Sequence, residues 1–147
     1  MIADNQTNII YFSELLKADL RFSGICNHIT GILESVGAQY DFLPKTRDIW
    51  ARDYMPIQVS ESKFVEFRYD PDYLQGTGAE KRKLKTYPDV VCDAINLKTV
   101  KTDIILDGGN VVKSQNAVIL TDKIVSENRY WYDKTSLVKQ LEELFEV

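Results

Sequence analysis

The order of apolar residues near the start of the chain is the feature that most limits the folds open to it. Residues 8–12 are mostly β-branched and aromatic, which predicts a short strand. Over residues 19–37, apolar side chains recur at steps of three and four, which predicts an amphipathic helix packed against a sheet. This predicted face consists of Ile25, Ile29, Ile32, Leu33 and Val36. Residues 40–43 then alternate as in a second strand, so the chain begins with a strand, a helix and a strand.

Shorter elements of alternating type are predicted over the rest of the chain. The predicted hairpins pair residues 57–59 with 64–69 and residues 111–113 with 117–121. A further helix and strand are predicted over residues 88–95 and 100–106. The last helix has an apolar face and a cap at Asp133 or Thr135, and the face consists of Leu137, Leu141, Leu144 and Phe145. The predicted fold class is therefore α/β (α+β).

The composition excludes several classes of protein. With 147 residues of which 44% are apolar, the chain is predicted to be one domain over residues 1–147. Its 18 basic and 22 acidic residues give a net charge of −4, which disfavours nucleic-acid binding. No apolar run approaches the roughly 20 residues that cross a bilayer, so no membrane association is predicted. Because residues 1–6 lack the pattern of a secretion signal, we expect a cytoplasmic protein.

Residues 70–86 contain few apolar anchors and are predicted to form a mobile connection. Pro71, Gly76 and Gly78 interrupt regular structure there, and a Lys/Arg-rich run follows at residues 81–85. The segment is either a lid or simply a long connection.

The densest chemistry lies in residues 46–56, where charged and aromatic residues follow neither a helical nor a strand period. We interpret this segment as an ordered loop. Arg52 can form two parallel hydrogen bonds with Asp48 or Asp53, as in a structural ion-pair network. Alternatively, one aspartate faces a pocket beside Trp50, since a carboxylate and an aromatic ring together suit a planar cation.

A second candidate segment, Asp107-Gly108-Gly109-Asn110, follows an apolar strand. Its glycines permit positive φ angles and a close approach of a ligand to the backbone. Alternatively, it is a tight turn in which the Asp and Asn side chains make local hydrogen bonds. A phosphate loop is excluded, since the sequence has neither G-x-G-x-x-G nor a G-K-[ST] ending.

The other reactive residue types are interpreted as structural. His28 lies on or beside the apolar face of the first long helix and has no potential ligands at metal-binding spacing, so no zinc site is predicted. Cys26 and Cys92 fall within predicted helices, away from any glycine-rich or charged motif. Both are expected to be reduced core residues rather than reactive thiolates.

Together, the two candidate segments resemble one enzyme family. Residues 46–56, TRDIWARDYMP, are similar to the D-x-W-x-R-D-x-x-P segment of the agmatine deiminase and bacterial (Porphyromonas-type) peptidyl-arginine deiminase family. Residues 106–110, LDGGN, followed by residues 118–123 and 127–129, resemble a second segment of that family. The resemblance covers most of the chain, from about residue 8 to residue 147.

The resemblance implies a pentein-type α/β propeller of five strand-and-helix modules, of which this chain would hold about two. Asp53 and Asp107 would be the carboxylates that grip a guanidinium, although a glutamate is common at the second position. Trp50, Arg52 and Asn110 would contribute to substrate binding, with Trp50 lining the channel and Arg52 holding the loop. The substrate would be a guanidino compound such as agmatine or an arginine side chain, and the reaction would release ammonia.

The resemblance also implies catalytic groups that this chain lacks. Enzymes of the family use a cysteine thiolate that attacks the guanidinium carbon and a His-x-Asp pair for proton transfer. His28, Cys26 and Cys92 do not align with these roles, so we expect this chain alone to be inactive. The alternative is a non-catalytic guanidinium-binding or protein-interaction module.

The partners expected from the resemblance are a guanidino ligand and a further chain. A ring of modules opened after the second one would expose sheet edges and an apolar flank. This predicts self-association or a complementing C-terminal chain. No metal, nucleotide or organic cofactor is implied.

Overall fold

The computed structural model describes residues 1–75 and 78–147, which form short sheets and helices in an α/β arrangement, as expected from the sequence. Within these residues the strands are β1 (Ile10–Ser13), β2 (Tyr40–Leu43), β3 (Ile57–Gln58), β4 (Phe64–Arg68), β5 (Val100–Ile105), β6 (Val111–Lys113) and β7 (Val118–Leu120). The helices are α1 (Leu15–Ala18), α2 (Ser23–Ser35), α3 (Ala51–Tyr54), α4 (Ala79–Lys83), α5 (Pro88–Ala94), α6 (Lys123–Asn128) and α7 (Lys134–Phe145). In this described part of the chain, no helix is both long enough and apolar enough to cross a membrane.

The predicted strand, helix and strand are present at the start of the chain. β1 and β2 pair in parallel, with Ile10 opposite Tyr40. Because parallel neighbours cannot be joined by a tight turn, the chain crosses between them through α1, which the sequence did not predict, and α2. The buried hydroxyls of Ser13 and Thr46, 2.6 Å apart, attach this unit to the loop that follows it.

The buried face of α2 differs from the prediction. Ile25, Ile32 and Val36 are 58%, 51% and 70% exposed, and Cys26 is the side chain that α2 buries. The other two residues of the predicted face are partly buried. The prediction that this face packs against a sheet is therefore wrong for most of its residues. A sheet of two strands covers only a narrow stripe of a helix.

The larger of the two apolar core clusters begins at Ile57 and extends to the last helix. β3 and β4 pair antiparallel, β4 and β5 pair in parallel, and β6 and β7 form a separate antiparallel pair, which confirms both predicted hairpins. α5, with proline in its first turn, confirms the helix predicted between β4 and β5. One core cluster packs the sheet of β3, β4 and β5 against β6, α6 and α7. A smaller cluster joins α3 and α5 and consists of Leu43, Tyr54, Tyr69, Leu74 and Val91.

The last helix, α7, matches its prediction. The Asp133 carboxylate accepts hydrogen bonds from the backbone N–H groups of Thr135 and Ser136 at 2.9 and 3.0 Å, so Asp133 caps the helix. The predicted apolar face is directed at the core, where α7 buries Leu137, Leu141 and Phe145.

Helix α6 was not predicted, and it is held by one buried polar side chain. The amide oxygen of Asn128 accepts a hydrogen bond from the Ile105 N–H at 2.9 Å. Its amide nitrogen donates to the backbone oxygens of Ile105 and Ile124, each at 2.8 Å. Asn128 therefore attaches α6 to the end of β5.

Residues 70–86, the predicted mobile connection, include a 3-10 turn at Asp72–Leu74 and helix α4. Leu74 is buried, and the ammonium of Lys85 pairs with Asp70 at 2.7 Å. Gly76 lies outside the described residues. The mobility of the segment and its role as a lid stay predictions.

Candidate functional site

Two glycines bring the two candidate segments into contact. The 3-10 turn Gly108–Asn110 packs on α3, where the Gly109 N–H donates to the Asp53 carboxylate at 3.1 Å. A Cβ atom on Gly109 would overlap this carboxylate, and one on Gly108 would overlap the backbone oxygen of Arg52. Glycine is therefore needed at position 108, where a Cβ atom would meet backbone, whereas at position 109 the Asp53 carboxylate would have to shift to admit one.

The positive φ angles expected for these glycines are not found. Gly108 and Gly109 lie in a 3-10 turn, a conformation in which φ is negative. Within the described residues, the glycine with a positive φ angle is Gly37, after α2. The group that closely approaches Gly108 and Gly109 is α3 of the protein itself.

Asp107 is buried, with 5% of its surface exposed, and lies two residues after the end of β5. Its Oδ2 accepts a hydrogen bond from the ammonium of Lys123 at 2.8 Å, while its Oδ1 has no partner among the described residues. Asn110 accepts a hydrogen bond from the Thr121 hydroxyl at 3.2 Å. The segment is a tight turn, as one interpretation predicted, but its side chains do not bond locally, because their partners lie more than one element further along the chain.

The site is rich in carboxylates. Burial, and the neighbouring charge of Asp107, raise the pKa of Asp53 above its usual value. Burial likewise raises the pKa of Asp48, and the charge of Asp53 adds a smaller contribution. Carboxylates that are partly desolvated and close to one another gain from a positive charge placed among them. The arrangement therefore favours a cationic ligand.

The side chain of Arg52 points away from these carboxylates. Its guanidinium donates to the backbone oxygen of Val111 at 2.6 Å and pairs with Asp4 at 3.3 Å, beside a separate cleft of about 580 Å³. The predicted pairing of Arg52 with Asp48 or Asp53 is therefore wrong. Consecutive residues of a helix point in different directions, so α3 directs residues 52 and 53 to different sides.

Comparison with known proteins identifies the family. Residues 9–147 match the family model of Porphyromonas-type peptidyl-arginine deiminase. The chain belongs to this family. The resemblance found in residues 46–56 and in the segment that begins at residue 106 is thereby confirmed.

A solved structure shares the fold of this deiminase-family chain. C. jejuni agmatine deiminase matches with a TM-score of 0.67 at 14% sequence identity, covering 99% of this chain and 52% of that one. The chain thus spans about half the length of that agmatine deiminase. No curated protein matches by sequence.

The other predicted substrate-binding residues of this family member lie beside the carboxylates. Trp50 precedes α3 and is 67% exposed, and its backbone N–H donates to the Asp48 carboxylate at 2.9 Å. Asn110 belongs to the turn that contacts Asp53. The roles of Trp50 and Asn110 in binding stay predictions.

The cysteines and the histidine of this family member are not part of the carboxylate cluster in the described residues. Cys26 and Cys92 are 3% and 1% exposed, which confirms that they are core residues. Burial raises the pKa of Cys92 to about 12, so this thiol stays protonated at neutral pH. His28 is exposed on α2 and is not packed in the core.

Two residues of α6, Lys123 and Glu127, belong to the site; both lie in the segments that carry the family resemblance, but the sequence assigned them no role. The ammonium of Lys123 lies 2.8 Å from Asp107 and 3.2 Å from Glu127. It also lies 5.3 Å from the centre of the Tyr73 ring. The available signal was the spacing of four residues between Lys123 and Glu127, which places both on one face of a helix.

Proposed function

We propose that this chain binds a guanidinium group between Asp53 and Asp107, as the substrate-gripping part of a deiminase. The observation that carries the proposal is the contact between the Gly108–Asn110 turn and α3, which places a half-buried carboxylate beside a buried one. A guanidinium suits this arrangement, because its planar set of N–H donors forms parallel hydrogen bonds with carboxylate oxygens. The carboxylates in turn relieve their mutual repulsion by sharing one cation.

The proposed reaction breaks a C–N bond of the guanidino group. A cysteine thiolate adds to the guanidinium carbon, ammonia leaves with a proton supplied by a histidine, and water hydrolyses the amidino thioether. Asp53 and Asp107 would hold the guanidinium so that its carbon is correctly placed for attack. The substrate would be agmatine, which appears in the name of the structural neighbour, or a peptidyl arginine, which appears in the name of the family.

We further propose that residues 1–147 do not supply the catalytic thiol or histidine. The two cysteines, Cys26 and Cys92, are buried, and the one histidine, His28, is exposed on α2. A complementing chain, or further modules of a pentein-type propeller of which this chain forms about two of five, would supply them. The match to about half of an agmatine deiminase chain supports this proposal. We place the complete hydrolase in the cytoplasm.

Calorimetric titration with agmatine tests the binding proposal. Asp53→Asn should weaken agmatine binding about tenfold or more, since a charge-assisted pair is lost while the amide oxygen can still accept from Gly109. The matched control is Asp93→Asn, which changes an exposed aspartate of α5. Equal affinity of the wild type and Asp53→Asn would contradict the proposal.

The stability of the same variant separates a binding role from a structural one. Because the pKa of Asp53 is raised in the folded state, its ionisation costs folding free energy as the pH rises through that pKa. Asp53→Asn should therefore leave the melting temperature at pH 7 unchanged or raise it. A loop that is only an ion-pair network would instead lose stability on this substitution and keep its agmatine affinity.

The second candidate function is a non-catalytic guanidinium-binding or interaction module. The burial of both cysteines favours this function, because neither thiol is placed to attack a ligand held by Asp53. Ammonia release from agmatine distinguishes the two functions when the 147-residue chain is compared with a longer version of it. Turnover by the longer version alone supports the deiminase, and binding without turnover by either supports the module.

A further inference from the structure

We propose that the ammonium of Lys123 is an internal occupant of the guanidinium site and has to leave Asp107 before a ligand can pair with that carboxylate. The inference rests on the proposed function above. It adds to the two carboxylates a third residue, Lys123, that selects which cations bind.

The surroundings of Lys123 match those that a guanidinium would need. Its Nζ lies 2.8 Å from Asp107, 3.2 Å from Glu127 and 3.9 Å from Asp72. The same nitrogen lies 5.3 Å from the centre of the Tyr73 ring. Carboxylates and an aromatic ring around one cation are the groups that also recognise a guanidinium. Lys123 therefore takes a position suited to the ligand.

While Lys123 is in place, one oxygen of Asp107 is paired and the other is buried without a partner in the part of the chain that the structure describes. The paired oxygen is Oδ2, which accepts from the Lys123 ammonium, and the buried one is Oδ1. A buried carboxylate oxygen without a hydrogen bond is costly, and a second donor at this carboxylate would satisfy it. A guanidinium can supply both donors at once, whereas the ammonium in this structure reaches one oxygen.

Lys123 is the member of the cluster that is placed to move. Its side chain is 30% exposed, whereas those of Asp107 and Glu127 are each 7% exposed. As the first residue of α6, it carries its ammonium on a flexible stem that can turn without moving the helix. The exposed carboxylate of Asp72 is available as its partner on the outer side.

A ligand can pair with Asp107 only if it binds this carboxylate better than the Lys123 ammonium does. An alkylamine offers Asp107 the same group that Lys123 already provides, so the exchange brings no advantage. A guanidinium forms two parallel hydrogen bonds with a carboxylate, so it can replace Lys123 at a net gain. Lys123 thereby favours guanidino ligands over alkylamines of the same charge.

Calorimetry with agmatine and butylamine on Lys123 variants tests the inference. Lys123→Met keeps the side-chain length without the charge, and it should bind agmatine about tenfold more tightly and also bind butylamine. Lys123→Arg places a guanidinium in the site and should weaken agmatine binding about tenfold. The control Lys139→Met changes an exposed lysine of α7 and should bind as the wild type does. Weaker binding of agmatine to Lys123→Met than to the wild type would overturn the inference.

A second measurement uses the wild-type chain, because Lys123→Met leaves the Asp107 charge unpaired and can impair folding. Acetylation of lysines by an N-hydroxysuccinimide ester is followed by mass spectrometry with and without butylguanidine, a guanidino ligand that has no amine to consume the ester. Butylguanidine should raise the labelling of Lys123 about twofold or more by releasing its ammonium, and leave Lys139 unchanged. Unchanged or reduced labelling of Lys123 would overturn the inference.

Failure of the proposed function gives a different pattern. If agmatine binds neither the wild type nor Lys123→Met, or binds without dependence on Asp53, both the proposed function and this inference fall. If binding depends on Asp53 but the order of the Lys123 variants is reversed, only the inference falls.

Discussion

Helices α2 and α7 have similar apolar periods but are packed very differently. α7 buries Leu137, Leu141 and Phe145, whereas α2 buries Cys26 and leaves Ile32 51% exposed. α7 packs into a cluster that also contains residues of the three-stranded sheet, β6 and α6, while α2 connects the strands of a sheet that has only two. The apolar period thus predicts a helix, and the number of neighbouring elements decides how much of its face becomes buried.

The largest effect is expected from Leu137→Ala in α7. Leu137 is 1% exposed, so its truncation removes apolar contacts and leaves a cavity that should cost about 2–5 kcal/mol of unfolding free energy. The matched change Ile32→Ala in α2 should cost less than about 1 kcal/mol. Urea unfolding followed by circular dichroism measures both. Equal costs would show that α2 is packed as well as α7.

A slightly smaller effect is expected from Asn128→Ala, which separates α6 from β5. The substitution leaves the N–H and the carbonyl oxygen of Ile105 without their partners and should cost about 2–4 kcal/mol. The control Asn116→Ala lies in the exposed β6–β7 turn and should be nearly neutral. Hydrogen exchange at the Ile105 amide should accelerate in Asn128→Ala alone. Unchanged exchange there would mean that α6 is held by other contacts.

A smaller effect is expected from the helix cap, which also differs between the two helices. Asp133 caps α7, whereas Phe22 at the start of α2 makes no side-chain capping bond. Asp133→Ala should lower the melting temperature by a few degrees at pH 7. Hydrogen bonds from the Ser136 backbone hold the pKa of Asp133 below its usual value. Its contribution is therefore present at neutral pH and lost as the pH falls below about 4. A difference in melting temperature that persists in acid would contradict this assignment.

The smallest effect on stability is expected from replacing exposed apolar residues of α2. The double change Ile32→Ser and Val36→Ser should leave the unfolding free energy nearly unchanged, since both side chains are more than half exposed. It should reduce the self-association predicted for the wild type, as measured by size-exclusion chromatography over a range of concentrations. A wild type that stays monomeric at every concentration would refute the predicted self-association.

The sequence located the candidate site better than it described the contacts within it. The residue types around Asp53 and Asp107 identified both segments, because each motif consists of residues that are close together along the chain. The direction of Arg52 was predicted wrongly, since it depends on a single turn of helix that shows no apolar period. The contact of Lys123 with Asp107 was not predicted either, because the two residues meet only after β6 and β7 have folded back.

The sequence by itself determined the strands, the helices α2, α5 and α7, the cap of α7 and the two segments that mark the family. Each of these depends on residues close together along the chain, where propensity and side-chain spacing act directly. Only the tertiary structure decided that α2 exposes Ile32, that Gly108 has to be a glycine because it meets the Arg52 backbone, and that Lys123 pairs with Asp107. These contacts join residues distant in sequence, and burial and charge pairing depend on all the elements that meet at one place.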